Sequence, residues 1–222
     1  MIKKEVVITS DGSSSIFLPE WNESYHSKHG AIQEANHVFI KNGFEFTSQN
    51  PLHILEIGFG TGLNALLTLH QSIIQNREVF YTGVEAYPVT ENILNALNYS
   101  EILDKDNSDN YFQIVHQSPW EEFRKVNTGF HLCKRQQFFD EIDDEESFDL
   151  IYFDAFGYRV QPELWGEEIF KKMYKALKKK GVLVTYACRT PIKKAMEASG
   201  FITEKLPGPP GKREMLRAVK LG

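Results

Sequence analysis

The chain has 222 residues and a formal net charge of −5, and 41% of its residues are hydrophobic. This length and composition predict one globular domain with a substantial core, and no apolar run is long enough to cross a membrane. The two cysteines, Cys133 and Cys188, are too few and too far apart for a disulfide framework or a zinc site. Because the start of the sequence has no signal-peptide pattern and the two isolated cysteines suit a reducing compartment, we expect a cytoplasmic protein that does not interact with a membrane.

The first fifty residues precede the regular part of the chain. Residues 6–20, VVITSDGSSSIFLPE, predict two short strands around a Ser-Asp-Gly turn. A loop then enters a predicted helix over 31–41, which Asn42-Gly43 should end. We therefore interpret 1–50 as a hairpin-and-helix extension and 51–222 as the main domain.

From residue 52 onward, short apolar runs alternate with longer amphipathic stretches. Such alternation predicts a parallel sheet with crossover helices, and therefore a doubly wound α/β domain. The connection PGPPGK at 207–212 is too short for a crossover, so the last two strands should form an antiparallel pair at one edge. The predicted strands are 52–57, 79–85, about 130–134, 148–154, 181–187, 201–205 and 214–219, and the predicted helices are 62–75, 90–98, 163–179 and 191–199.

The most informative segment is LEIGFGTGLN at 55–64, in which a buried strand breaks into alternate glycines and then opens a helix. This layout is typical of a nucleotide site, because glycines admit close backbone approach and a helix start offers free N–H groups. Leu63 stands where a dinucleotide fingerprint needs glycine or alanine, and the lysine of a phosphate loop is missing. A purely structural strand-to-helix turn is the alternative.

An acidic residue followed by G-x-G-x-G resembles motif I of class I S-adenosylmethionine-dependent methyltransferases. The resemblance implies a Rossmann-like, seven-stranded, mostly parallel sheet with one antiparallel edge strand, to which the N-terminal β-hairpin is added. It also implies that S-adenosylmethionine is the cofactor and that the glycine loop packs against it. The residues of this segment that we assign to the cofactor site are Glu56, Gly58, Gly60, Thr61, Gly62 and Asn64.

The second predicted strand ends at Glu85, followed by Ala86, and we assign both residues to the cofactor site. A carboxylate at this strand tip can accept hydrogen bonds from both hydroxyls of a ribose, although glutamates also occur at exposed strand ends without a ligand. In the segment LCKRQQFF at 132–139, the acid that the family commonly places near the adenine is missing. Gln136 or Gln137 could supply an amide instead, and we assign Gln137.

The fourth predicted strand ends at Asp154, so its carboxylate should point into the same cleft as the glycine loop. An aspartate beside an amine can orient the amine and take its proton. The aromatic side chains on the following loop could stack on a nucleobase that has left its base stack. Alternatively, they could belong to the hydrophobic core that covers this end of the sheet. We assign Asp154 as catalytic and in contact with the cofactor, and Phe156, Tyr158 and Trp165 as substrate-binding.

Four segments together resemble one family: EIGFGTGLN, GVEAYP, YFDAF with a following Pro-x-x-Trp, and GKREML. It is the methyltransferase half of the bifunctional tRNA 5-methylaminomethyl-2-thiouridine biosynthesis protein. The resemblance implies methylation of the exocyclic amine of 5-aminomethyl-2-thiouridine at the tRNA wobble position, with Asp154 as the base or amine anchor. Because the sequence has no flavin-type glycine motif, we expect a stand-alone methyltransferase whose substrate another enzyme makes.

Charge is distributed unevenly along the chain. Acids dominate 101–149, whereas lysines and arginines dominate from 171 onward, which could make either a phosphate-binding face or an ordinary solubilising helix surface. Lys212 and Arg213 should project beside the cleft end of the last strand, where contacts to phosphates would position tRNA. We assign both as substrate-binding, with an exposed basic edge that discourages strand pairing as the alternative.

Two other functions remain open from the sequence. ESYHSKHG at 23–30 resembles the Tyr-His motif of aminopropyltransferases of the spermidine synthase kind, which also direct an amine at a sulfonium. Their active-site strand usually carries a pair of aspartates, whereas YFDAF has only Asp154. A non-enzymatic module that binds tRNA or a protein is disfavoured by the glycine loop, Glu85 and Asp154 together. His26 and His29 have no convincing third ligand, so we expect no metal, and the oligomeric state is not predicted.

Overall fold

The computed structural model describes residues 3–105 and 109–222, which form two β-sheets. The smaller sheet is N-terminal and has three antiparallel strands, β1 (Glu5–Ile8), β2 (Ser14–Leu18) and β3 (Glu23–Ser24). Strands β1 and β2 form the hairpin that the sequence predicted. The short strand β3 was not predicted, because two residues are too few to show an alternating pattern.

The strands of the larger sheet are β4 (Leu52–Ile57), β5 (Val79–Val84), β6 (Arg124–Asn127), β7 (Phe130–Arg135), β8 (Phe148–Phe153), β9 (Leu177–Thr185), β10 (Ile202–Pro207) and β11 (Glu214–Val219). Their order is β10-β11-β9-β8-β4-β5-β7-β6. The central strands are parallel from β9 to β7, whereas β11 is antiparallel to both β9 and β10. The predicted doubly wound α/β fold with an antiparallel pair at one edge is confirmed.

Within the described residues, the sheet has eight strands where the sequence predicted seven. The additional strand is β6, which pairs antiparallel with β7 at the edge of the sheet. Its residues, RKVN, are half-buried or exposed and include one apolar side chain. An edge strand of this composition has no hydrophobic alternation, so pattern analysis does not reveal it.

Helices cover both faces of the larger sheet. Side chains of alternate strand residues point to opposite faces, so Ile54 and Tyr81 join the core beneath α1 and α2, whereas Leu55 and Ile57 join the core beneath α6 and α7. The helices are α1 (Ala31–Ala35, continued by a π-helical segment, Asn36–Phe44), α2 (Leu63–Ile74), α3 (Glu91–Leu94), α4 (Tyr99–Leu103), α5 (Tyr111–Gln117), α6 (Glu167–Ala176) and α7 (Thr190–Ala198), with 3₁₀ turns at Phe139–Glu141 and Pro162–Trp165.

Two predicted helix ends are wrong for reasons of tertiary packing. The helix predicted to reach residue 179 ends at Ala176, because the buried Leu177 pairs with Phe148 and begins β9. The helix predicted to end at Asn42-Gly43 continues to Phe44. A Cβ on Gly43 would lie 3.0 Å from Val184, so this glycine lets the helix pack closely on the sheet.

The N-terminal extension is packed directly on the main domain. Its residues Ile16 and Val38 belong to the same core cluster as Ile54 of β4. The hydroxyl of Tyr99 donates a hydrogen bond of 2.7 Å to the carbonyl oxygen of Ser14. The extension and the sheet therefore share one hydrophobic core, and the boundary at residue 50 stays a prediction.

Candidate functional site

A cavity of about 1190 Å³ lies at the carboxyl ends of β4, β5 and β8. The chain reverses its direction of sheet growth between β4 and its neighbour β8, and open α/β sheets bind ligands at such a point. Ligand pockets usually measure about 300–1,000 Å³, so this cavity has room for a large cofactor and part of a second molecule. One wall comes from the sheet and the other from the N-terminal extension.

The glycine loop follows β4 and forms part of the sheet wall. Gly58 has φ of 88°, and a Cβ on it would lie 2.6 Å from the carbonyl oxygen of Asp154, so only glycine fits there. Gly58, Gly60 and Thr61 line the cavity. Gly62 instead lies beneath the loop, against Phe59 and a histidine of α5.

Asn64 connects two carboxyl groups at the cavity floor. Its Nδ2 donates hydrogen bonds of 2.9 Å to Glu56 Oε1 and of 2.8 Å to Asp154 Oδ2. Burial raises the pKa of Glu56 well above its usual range. The assignment of Glu56 to the cofactor site is corrected in one respect, because this fully buried side chain lies behind Asn64 and reaches the cavity only through it.

Glu85 stands at the tip of β5, and both Glu85 and Ala86 line the cavity. The backbone N–H of Gly60 donates a hydrogen bond of 3.0 Å to Glu85 Oε2, and that of Tyr87 donates one of 2.9 Å to Oε1. A carboxylate has about four lone-pair positions, so each oxygen retains the capacity to accept a ligand hydroxyl. This arrangement fits a ribose with two adjacent hydroxyls.

Asp154 follows β8 and lines the cavity beside the glycine loop. Burial raises the pKa of its carboxyl to about 7, although the hydrogen bond from Asn64 opposes the shift. The carboxylate of Glu34 raises this pKa further, and the ammonium of Lys212 lowers it. A carboxyl group with this pKa can accept or release a proton near neutral pH, which suits general base chemistry.

Of the three aromatic residues predicted to bind substrate, Phe156 alone lines the cavity. Its ring meets those of Tyr25 and Trp21 edge to face, with centroids 5.0 Å and 5.5 Å apart. The assignment of Trp165 is corrected, because its ring is 1% exposed and its Nε1 donates a hydrogen bond of 2.7 Å to the Phe156 carbonyl. Tyr158 lies outside the cavity, 6.0 Å beneath the guanidinium of Arg189.

The segment after β7 also differs from the prediction. Gln136 and Phe138 line the cavity, whereas Gln137 does not, because alternate residues of an extended segment point in opposite directions. Asp140, in the 3₁₀ turn at Phe139–Glu141, also lines the cavity. An acid is therefore present at this wall, just after the segment 132–139 from which the family's acid is missing.

Lys212 and Arg213 are neighbours with different surroundings. The ammonium of Lys212 forms an ion pair with the buried carboxylate of Glu34 and lies 3.8 Å from the centre of the Tyr186 ring. Arg213 is exposed. The structure therefore directs Lys212 toward the cavity wall, and leaves Arg213 accessible to a large substrate.

The N-terminal extension supplies cavity residues that the sequence did not assign to a site. They are Lys4, Leu18, Trp21, Ser24, Tyr25 and His26. Burial lowers the pKa of His26 to about 4, so its imidazole is neutral near pH 7. The Tyr-His pair within 23–30 was the one feature that pointed to this wall.

Over residues 3–105 and 109–222, no cluster of three or more histidine, cysteine or acidic side chains has the geometry to hold a metal ion. Within the same part of the chain, no helix combines the length and apolar character that crossing a membrane requires.

The chain was compared with known proteins and solved structures. The family model of S-adenosyl-L-methionine-dependent methyltransferases matches residues 103–221, which is more than half of the chain. The tRNA 5-methylaminomethyl-2-thiouridine biosynthesis bifunctional protein MnmC of Leptospira interrogans is 29% identical over 212 residues. That match covers 89% of this chain and 32% of the relative, so the chain spans about a third of the bifunctional protein's length.

Several solved structures resemble the whole chain. MNMC2 from Aquifex aeolicus superposes with a TM-score of 0.79 at 22% identity, over 100% of this chain and 71% of that one. Spermidine synthase from Thermotoga maritima gives a TM-score of 0.52 at 16% identity, over 99% of this chain and 74% of that one. At these identities the similarity shows a shared fold and does not separate methyl transfer from aminopropyl transfer.

The cavity residues fit the cofactor that the family model implies. The glycine loop allows close approach of a ligand, and Glu85 offers acceptors to adjacent hydroxyls at the next strand tip. The class I methyltransferase fold predicted from the sequence is confirmed, and so is S-adenosylmethionine as the cofactor. The chain belongs to the S-adenosyl-L-methionine-dependent methyltransferase family.

Proposed function

We propose that this protein transfers the methyl group of S-adenosylmethionine to the exocyclic amine of an aminomethyl-modified wobble uridine in tRNA. The observation that carries the proposal is Asp154, a carboxyl group with a pKa of about 7 at the floor of the cavity. Its position beside the glycine loop suits an amine that approaches the bound cofactor. The name of the Leptospira relative supports the choice of a tRNA nucleoside.

The protein residues divide the work between cofactor and substrate. S-adenosylmethionine supplies an electrophilic methyl group, so the amine needs no covalent catalysis by the protein. The glycine loop and Glu85 would hold the cofactor, while Asp154 would take one proton from the substrate ammonium and orient the free amine toward the methyl group. The rings of Phe156, Tyr25 and Trp21 offer apolar surface on which an extruded base can stack.

The shape of the cavity also bears on tRNA as the substrate. The cavity is open to solvent on the side where Tyr87 and Phe138 are 68% and 50% exposed. Arg213 is an exposed cation on the turn that carries Lys212, and a phosphate contact there would position the nucleic acid without reading its sequence. A flipped nucleoside could therefore enter while the rest of the tRNA stays outside.

Aminopropyl transfer is the second candidate function. It is favoured by Tyr25 and His26, which both line the cavity and belong to the segment that resembles the aminopropyltransferase motif. It is disfavoured by the single aspartate in YFDAF, because a small diamine needs acidic groups at both of its ammonium ends. The two functions differ in both cofactor and acceptor, so one assay distinguishes them.

The deciding experiment measures transfer of labelled methyl from S-adenosylmethionine to tRNA. One tRNA carries 5-aminomethyl-2-thiouridine, and a matched tRNA lacks the aminomethyl group. Label on the aminomethyl tRNA alone supports the proposal. If both tRNAs stay unlabelled while putrescine and the decarboxylated cofactor give spermidine, the protein is an aminopropyltransferase.

A further inference from the structure

Two histidines from outside the glycine loop contact Thr61 within it. The hydroxyl oxygen of Thr61 lies 3.4 Å from His26 Nε2, and the carbonyl oxygen of Thr61 lies 3.0 Å from His116 Nε2. A backbone carbonyl only accepts hydrogen bonds, so His116 must be the donor and must carry its proton on Nε2. Thr61 is 1% exposed, so water cannot easily replace either partner.

Each imidazole is held by its own element. In the N-terminal extension, the Nδ1 of His26 lies 3.1 Å from the hydroxyl of Ser15, which also accepts a hydrogen bond from the His26 backbone N–H. In α5, the ring of His116 packs against Phe112 with ring centroids 4.5 Å apart. The loop is therefore joined both to the extension and to α5.

The third glycine of the loop makes room for His116. A Cβ on Gly62 would lie 3.1 Å from His116 Nε2 and 3.3 Å from the ring of Phe59. Gly62 does not line the cavity, so a close approach to the cofactor does not explain this glycine. Its φ of 71° favours glycine, and the missing Cβ also leaves the space that the imidazole occupies.

Both histidines are neutral near pH 7. Burial lowers the pKa of each to about 4. The charged groups that face His26 are Glu34 and Asp11, which raise its pKa, and Lys212, which lowers it. Lys134 lowers the pKa of His116, and the carbonyl of Thr61 raises it. A neutral imidazole is the form that can act as both donor and acceptor at this buried position.

We propose that His26 and His116 are positioning residues that hold the glycine loop in the conformation that receives the cofactor. They act through Thr61 and contribute no group to the transfer itself. The affinity for S-adenosylmethionine then depends on the N-terminal extension and on α5, both of which lie outside the loop. The inference concerns cofactor binding alone, so it can hold or fail whether or not tRNA is the substrate.

The test is the dissociation constant for S-adenosylmethionine, measured by calorimetry on the full chain without tRNA. His116→Leu keeps the bulk of the side chain and removes the donor, and we expect affinity to fall about tenfold because the buried Thr61 carbonyl loses its partner. His116→Gln places an amide N–H near the position of Nε2 and should stay within about threefold of the natural protein. His26→Leu should have a smaller effect, because its contact is longer.

A matched control separates positioning from general destabilisation. His131 lies near the amino end of β7, pairs with Glu78 at 3.5 Å and stacks on Phe80, whereas the cavity lies at the carboxyl ends of the strands. His131→Leu should leave cofactor affinity unchanged. Should His116→Leu bind the cofactor as tightly as the natural protein, or His131→Leu weaken binding equally, the positioning role is wrong. Nitrogen NMR of His116 provides a second readout, since the proposal requires the Nε2–H tautomer with and without cofactor.

Discussion

The two walls of the cavity differ in the kinds of chemical group that they present. The sheet wall carries backbone and charge, with Gly58, Glu85 and Asp154 at the ends of adjacent strands. The extension wall carries rings, with Trp21 and Tyr25 beside Phe156. Strand ends are rigid and suit groups that must be placed accurately, whereas stacked rings suit a flat substrate and exclude water. In the proposed function, the sheet wall therefore supplies the chemistry and the extension wall supplies the surface that contacts the substrate.

The walls also depend on each other. Burial raises the pKa of Asp154. The carboxylate of Glu34 in α1 raises this pKa further, and the ammonium of Lys212, in the turn before β11, lowers it. The guanidinium of Arg159 donates a hydrogen bond of 3.0 Å to the carbonyl of Trp21, which joins the segment after β8 to the extension. The extension therefore adjusts the acidity of a group on the sheet wall as well as closing the cavity.

The largest expected effect comes from the sheet wall. Asp154→Asn keeps the size of the side chain but removes its proton acceptor, and we expect kcat for methyl transfer to fall about 10²–10⁴-fold. The affinity for S-adenosylmethionine should stay within about threefold, because Asn64 can still hydrogen bond to the amide oxygen. The exposed Asp143→Asn is the control. Loss of cofactor binding in Asp154→Asn would instead place this residue in the cofactor subsite.

The next largest effect is expected on stability, when the buried ring of Trp165 is removed. Trp165→Ala removes a buried ring that packs against Phe153 and Phe170, and should lower the free energy of unfolding by about 3–5 kcal/mol. Trp21→Ala, on the half-buried extension wall, should cost less stability and should raise KM for the nucleic acid substrate. Chemical denaturation and steady-state kinetics measure the two quantities. A stable Trp165→Ala with a raised KM would restore the sequence prediction that Trp165 binds substrate.

The neutral histidines predict how stability depends on pH. Their folded-state pKa is about 4 and the ordinary value is 6.5, so the unfolded chain binds more protons between these values. This difference in pKa contributes to the free energy of unfolding. The contribution is fully present above pH 6.5 and is lost as the pH falls toward 4, by at most about 1.4 kcal/mol per pH unit for each histidine.

The raised pKa of Asp154 acts in the opposite direction between pH 4 and 7, so the histidines must be isolated by variants. His26→Gln and His116→Gln should each flatten the fall of the melting temperature between pH 6.5 and pH 4.5. Thermal unfolding in matched buffers measures the slopes. Slopes identical to that of the natural protein would mean that these imidazoles titrate normally in the fold.

The smallest effects separate Lys212 from Arg213. Lys212→Met leaves the Glu34 carboxylate without its ion-pair partner, and should lower the free energy of unfolding by about 1–3 kcal/mol. Arg213→Gln should leave stability unchanged, and should reduce the slope of log affinity for tRNA against log salt by about one. Filter binding across a salt series measures the slope. A slope that changes with Lys212→Met alone would reverse the two roles.

Local patterns in the sequence were sufficient to predict the bounds of some strands and the residues that lie at the strand ends. The bounds of β4 and β11 agree with the predicted 52–57 and 214–219, because apolar runs limited by glycine or proline mark strands without tertiary information. Gly58, Gly60, Thr61, Asn64, Glu85 and Asp154 line one cavity because parallel strands bring their carboxyl ends together. This rule applies to any doubly wound sheet.

Contacts between distant residues decided the rest. The sequence places Trp165 on a loop, but its ring is buried in the core and its Nε1 donates a hydrogen bond to the Phe156 carbonyl. Lys212 lies on a turn, but its ammonium forms an ion pair with the buried Glu34 of α1. In the extension wall, the Tyr-His pair within 23–30 was a local signal. No local pattern reveals the cluster around Thr61, since Ser15, His26, Thr61 and His116 meet only after folding. The sequence by itself determined the sheet, the glycine loop and the strand end that carries Asp154, because these follow from hydrophobic period and backbone freedom. Only the tertiary structure decided which polar and aromatic side chains face the cavity, because burial and pairing depend on the complete packing around each group.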